Sequence, residues 1–245
     1  NKNMSTLSNV TPGRDKFLSQ NVGLTANVSS RDSLDGVSVR YAPDPSKKWF
    51  VLRATYHREL KAYDYLINHG IEAFLPLHRT LKYVDGKRKF VIESYLPNLL
   101  FVYASPETVE NCVKHTPDLH FLSYYYNHFV ATEDEKNPPL IVPYDSMMNF
   151  IRVSTTDNRH VKVVSPENCH FKSGDMVRVI DGEFKGVEGR VARVSGQQRV
   201  VVEVEGVCLI STAYIPSAFI EKKEIKKETR LLIKGTRENI TIHSK

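Results

Sequence analysis

FKSGDMVRVIDGEFKGVEGRVARV, residues Phe171–Val194, decides how the second half of this 245-residue chain folds. Gly174-Asp175 is expected to form a turn before a strand whose Val177 and Val179 alternate inward. Asp181-Gly182 makes the next turn, with Phe184 behind it and Gly186 and Gly189 flanking two residues. Glycines at that spacing allow positive φ and close backbone approach where a small barrel bends. Further strands are expected at Glu188 to Val194, Arg199 to Val204 and Val207 to Thr212, separated by Gly196 and Gly206. Short strands at roughly 8–12-residue spacing predict a small barrel over residues 164–222.

Working back toward the N-terminus, the polar stretch 154–163 suits a linker, and residues 47–153 alternate strand and helix signals. WFVLRA, from Trp49 to Ala54, has the composition of a buried strand. His57 to His69 predicts a helix with Leu60, Tyr63, Leu66 and Ile67 on one face and Gly70 at its C-terminal cap. Asp85-Gly86 between β-prone flanks predicts a tight hairpin. LLFVY, from Leu99 to Tyr103, is strand-like, Glu107 to His115 helical, Leu119 to Tyr126 β-prone, and a last helix runs from Pro143 to about Val153. That order predicts an α+β domain, an antiparallel sheet with flanking helices. Residues 1–46, rich in Ser, Asn, Asp and Gly, are expected to be a weakly ordered arm, and residues 223–245 a charged tail with one apolar patch at Leu231 to Ile233.

Composition excludes several classes. An apolar fraction of 41% suffices for a core. No apolar run approaches the roughly 18 residues of a membrane span, so no membrane partner is expected. The opening residues show no charged stretch leading into an apolar block, so a cytoplasmic protein is the expectation. Cys112, Cys169 and Cys208 form neither a disulfide framework nor a C-x-x-C pair. Cys112, His115 and His120 come nearest to a ligand cluster, but a half-buried cysteine beside two surface histidines is the simpler reading. No metal, cofactor or catalytic residue is expected, because nucleophile elbow, phosphate loop and acid–base dyad are all missing. The net charge of +6 is mild but uneven. Residues 47–91 hold ten Lys/Arg against four Asp/Glu, whereas 92–152 hold three against eight. One part of the domain therefore suits phosphate and the other does not.

The G-D-x-V-x-V opening, D-G-x-F-x-G turn and G-x-V continuation of Phe171–Val194 resemble a KOW motif, the centre of an SH3-like barrel. The KOW motif comprises Gly174, Asp175, Val177, Gly182, Phe184, Gly186 and Gly189. Trp49-Phe-Val-Leu, Phe74-Leu-Pro and Tyr95-Leu-Pro-Asn-Leu-Leu-Phe-Val102 resemble the N-terminal domain of NusG-type transcription factors. Gly86-Lys-Arg88 with Leu96-Pro-Asn98 resembles the specialised RfaH and UpxY branches. The resemblance implies contact with the clamp of the RNA polymerase largest subunit through Leu96, Pro97, Leu99, Phe101 and Phe121. It implies nucleic-acid contact through His57, Arg58, Lys61 and Tyr65, where the RfaH branch meets exposed non-template DNA. The hairpin residues Lys87, Arg88 and Lys89, with Lys82, suit upstream DNA or simply a soluble edge. The barrel implies docking to a ribosomal protein or termination factor. Arg53 and Glu110-Asn111-Cys112 depart from the RfaH pattern at its polymerase contacts. The RfaH branch can hold its C-terminal segment as helices, but VVVEVE (Val200 to Glu205) is β-prone and predicts a stable barrel here. An elongation or antitermination factor is one reading, and an RNA-binding or ribosome-associated KOW protein is the other.

Overall fold

In the computed structural model, residues 41–128 and 137–223 are described, with backbone only for 172–175. The chain divides into two compact units between Asp157 and Asn158. The expectations for residues 1–40 and 224–245 lie outside the described residues.

The first unit is built on β1 (Lys48–Ala54), which pairs antiparallel with β5 (Leu99–Ala104) on one edge. Along its other edge lie β6 (Leu122–Tyr124) and β7 (Ile141–Val142), and β2 (Glu72–Phe74) closes the far side of β5. Trp49, Phe50, Val51 and Leu52 are all buried, which explains a continuous apolar run instead of alternation. One face packs Phe50, Leu52 and Ala54 against Ala62, Tyr63 and Leu66 of α1 (Glu59–Asn68). On the other face Phe101 lies 5.4 Å from Phe150 of α3 (Tyr144–Ser154), and Phe150 also meets Phe74. Between them in sequence, α2 (Pro106–Glu110) starts with Ser105 accepting from the Thr108 amide and runs into a π turn at Asn111–His115.

Two details depart from the sequence reading. Tyr41 belongs to the folded unit, not to the arm. Its ring packs edge-on against Trp49, its hydroxyl donates to the Ala73 carbonyl, and its own carbonyl accepts from the Tyr144 hydroxyl. The Asp85-Gly86 hairpin, β3 (Leu77–Val84) with β4 (Lys87–Ser94), is a separate two-stranded ribbon and not part of the main sheet. Its turn is as predicted: Asp85 and Gly86 have φ of 54° and 72°.

The second unit is an antiparallel β-barrel unit of six strands in the order β13-β9-β10-β11-β12-β8. These are β8 (Lys162–Val164), β9 (His170–Val179), β10 (Glu188–Val194), β11 (Gln197–Val204), β12 (Cys208–Ser211) and β13 (Ile220–Lys222). Strands thus occupy the segment that the RfaH branch can hold as helices. Gly174 and Asp175 do not form a turn. They lie within β9 at an irregularity, where the register against β10 jumps from Met176↔Arg190 to Phe171↔Ala192. Val177 and Val179 are buried as expected, as is Phe184. Gly182 and Gly186 have φ of 82° and 85°, and the Gly186 amide donates to the Val179 carbonyl.

Gly189 answers a different demand, because a Cβ there would sit 2.5 Å from the Val201 carbonyl oxygen. Gly196, with φ of 78°, has open space around it. Gly189→Ala is expected to destabilise the protein by about 1–3 kcal/mol or more, as forced overpacking does. Gly196→Ala strains only φ, at about 1–2 kcal/mol. Urea unfolding midpoints should rank wild type, Gly196→Ala, Gly189→Ala; the reverse order of the two variants contradicts this packing.

Candidate functional site

The residues proposed from sequence for the polymerase contact do not form one exposed patch. Phe101 is fully buried under α3, so it is a core residue and offers no surface for a partner. Leu96 and Phe121 are also buried, at 8% and 4% exposure. For Phe101 the reason is that a strand covered on both faces carries no alternation that separates inside from outside, whereas Leu96 and Phe121 lie in the turns that lead into β5 and β6. Pro97 is exposed and Leu99 half-buried. Leu99 stands directly opposite Arg53, which is exposed at the same end of the sheet. Tyr95 flanks them, its ring stacked 4.2 Å from His78. The available surface is therefore Arg53, Pro97 and Leu99, bordered by Tyr95. At the second departure from the RfaH pattern, Glu110 pairs with Lys114 at 2.6 Å and Cys112 is buried.

Beside that surface the chain makes an unusual corner. Tyr56 and His57 both have left-handed backbones, with φ of 59° and 53°, and Asn98 has φ of 65°. Such conformations cost non-glycine residues on the order of 1–3 kcal/mol each and persist only where neighbours enforce them. Here Asn98 does so: its carbonyl accepts from the Ala54 amide at 2.8 Å and its side-chain oxygen from the His57 amide at 2.9 Å. The Thr55 amide is tied to the Phe121 carbonyl at 3.1 Å. The result projects Tyr56 into solvent at 84% exposure. Arg58 lies over the rings of both Tyr56 and Phe121, at 5.4 and 4.5 Å, and Lys61 lies 5.6 Å from Phe121. Phe121 is thus a buried floor beneath two cations.

His57, Arg58 and Lys61 are brought together at the start of α1, as the sequence implied. Tyr65 is different, being half-buried with His69 stacked on it at 3.9 Å. The exposed aromatic at this corner is Tyr56, which the sequence reading missed. A base placed on Tyr56 would have Arg58 and Lys61 within reach of its phosphates. In the hairpin, Lys82 and Glu93 pair, Lys89 meets Asp85 at 3.3 Å, and Arg88 donates to the Tyr83 hydroxyl at 2.8 Å. Lys87 is exposed nearby.

Among the described residues no group of His, Cys, Asp or Glu could hold a metal ion. No helix there is long and apolar enough to cross a membrane. Burial raises the pKa of all three thiols, that of Cys208 to about 12. Burial also raises the Tyr95 hydroxyl to about 12, with the Asp157 charge adding to it.

Residues 47–151 match the family model described as "Transcription termination factor nusG", and residues 173–205 match the KOW motif model. With both modules in that order, the chain belongs to the NusG family, a family of transcription factors. Its barrel region is also similar to the large ribosomal subunit protein uL24 of two bacteria. Identity to the Flavobacterium johnsoniae protein is 53% over 48 residues, 20% of this chain and 45% of that protein. Identity to the Christiangramia forsetii protein is 45% over 58 residues, 24% of this chain and 55% of that protein. The chain spans about half the length of these curated relatives.

Burial lowers the pKa of His78 from its ordinary value, against an opposing pull from Glu93. A depressed folded-state pKa means that the unfolded chain binds the proton more readily. Stability from this residue is therefore present above the unfolded pKa of about 6.5 and is lost as pH falls below it. Unfolding midpoints at pH 7.5 and 5.5 should differ less in His78→Phe than in wild type; an unchanged difference contradicts this role.

Proposed function

We propose that this protein is a transcription elongation and antitermination factor of a specialised kind, akin to the RfaH and UpxY branches. The observation that carries the reading is the pairing, in one chain, of a NusG-type unit with a KOW barrel. The first unit holds the RNA polymerase clamp through Arg53, Pro97 and Leu99, a contact that suppresses pausing or termination. The Tyr56, His57, Arg58 and Lys61 corner contacts exposed non-template DNA. The barrel recruits a second partner, a ribosomal protein or a termination factor. The protein acts in the cytoplasm by binding alone, without catalysis or cofactor. The resemblance of Gly86-Lys-Arg88 and Leu96-Pro-Asn98 to those branches supports a specialist acting on particular operons, such as those for surface polysaccharides.

Retention on immobilised core polymerase tests the reading. Wild type should be retained, and Leu99→Asp should lose at least tenfold. Pro97 and Leu99 are the informative positions, since Leu96→Asp would place a charge in the buried interior. Absence of retention, or retention indifferent to Leu99→Asp and Pro97→Asp, contradicts it.

A second reading has its own support. Similarity of the barrel to a ribosomal protein favours RNA or ribosome binding. On that reading the protein co-sediments with ribosomes in lysates depleted of polymerase, and Leu99→Asp leaves the association intact.

A further inference from the structure

Arginine is rarely buried without an acid beside it. Arg199 of β11 is only 4% exposed, and no carboxylate among the described residues pairs with it. Its guanidinium donates instead to three uncharged oxygens. These are the His160 carbonyl at 2.7 Å, the Thr212 carbonyl at 3.0 Å and the Gln197 side-chain oxygen at 3.1 Å. Its Nε has no partner among the described residues. A buried cation held in this way is tolerated only while those oxygens stay in place, and part of its fork is already unsatisfied.

Gln197 and Thr212 flank Arg199 in the barrel, but the third acceptor is remote. His160 comes 39 residues earlier, in the stretch that suits a linker. Residues 158–161 form a strap on the barrel. The Asn158 side chain donates to the Glu183 carboxylate at 2.7 Å, and the Val161 amide donates to the Asn158 carbonyl at 2.9 Å. The His160 amide donates to the Asn158 side-chain oxygen at 2.9 Å. At the next residue the chain enters β8, which pairs with β12. On the N-terminal side, the Thr155 and Thr156 hydroxyls donate to the Ile151 and Arg152 carbonyls of α3, at 2.7 Å each.

The bonds of the strap are unequal. The Asn158–Glu183 bond is exposed, so water competes for both partners and its net contribution is small. The Arg199–His160 bond is shielded, beside Val161 at 4% exposure. Its charged donor makes it stronger than a neutral bond. The strap is therefore held chiefly from Arg199. A lysine would not replace it, because one ammonium lacks the planar fork that reaches acceptors on separate segments.

We propose that Arg199 is a clasp: its guanidinium fastens the strap 158–161 to the barrel, and opening the clasp frees the strap while the barrel stays folded. A freed strap adds four residues of loose chain ahead of β8, a reach of up to about 13 Å when extended. Tether length sets the effective concentration at which a linked module meets its target, so the clasp tunes how the barrel is presented. Nothing in this depends on which partner the barrel docks or on polymerase contact, so its failure and that of the polymerase reading are distinguishable.

Hydrogen exchange and limited trypsin digestion of the full chain test it, the latter read at the cut after the exposed Arg159. Arg199→Met keeps the length of the side chain and removes its charge and donors. It should speed exchange at residues 160–161 and cleavage after Arg159 at least fivefold, with exchange at 177–179 and 201–204 unchanged. Arg199→Lys, the second variant should the first lose its fold, should speed both at least threefold. Asn158→Ala/Glu183→Gln should change them by less than about twofold. Unchanged exchange and cleavage in the Arg199 variants would overturn the proposal. An equal rise in Asn158→Ala/Glu183→Gln would also overturn it, by assigning the strap to its surface bonds. So would exchange rising throughout the barrel in both Arg199 variants, by making Arg199 a support of the barrel itself.

Discussion

The first unit depends on one strand being buried on both sides. β1 carries Trp49, Phe50, Val51 and Leu52 inside, with α1 under one face and α3 over the other. Burying a large apolar side chain stabilises by about 1.5–3 kcal/mol, so these four positions alone outweigh the cost of two left-handed residues just beyond the strand's end. Where β1 ends, its last amide is held by Asn98 and the next by Phe121. The sheet edge thereby dictates the path of Thr55, Tyr56 and His57 before α1 begins. The exposed tyrosine, the two cations over Phe121 and the Arg53–Leu99 surface all follow from how that strand stops.

The same constraint explains what the sequence could and could not reveal. Asp85-Gly86 was legible because a tight turn is a local event, set by two residues that tolerate positive φ. The ends of β10 and of α3 were legible for similar reasons, one from glycine and valine spacing, the other from Pro143 and the apolar period. Phe101 was not, because LLFVY shows no alternation when helices cover both faces. Tyr56 carries no local signal at all: its conformation is enforced by Asn98, which lies 41 residues beyond its His57 partner. The irregularity at Gly174-Asp175 was mistaken for a turn because register against β10 is a long-range property. Tyr41 was assigned to the arm because the six residues APDPSK, with no strand or helix period, separate it from the strand it packs against.

The two units carry different kinds of specificity. The first presents a mixed surface of one arginine, one proline and one leucine, next to a cationic aromatic corner. The second unit's defining residues, by contrast, are mostly inward: Val177, Phe184 and Gly189 build the barrel and leave docking to the loops and strand exteriors. This is why the KOW motif marks a fold without choosing a partner, and why a ribosomal protein, uL24, can be similar over this stretch.

Hydrogen exchange of the full chain, free and with core RNA polymerase, tests the central claim most directly. A strand-end surface that holds the clamp predicts slowed exchange at residues 53–58 and 95–99, with little change at residues 176–204. Exchange unchanged at 53–58 and 95–99, or protection confined to 176–204, would contradict it.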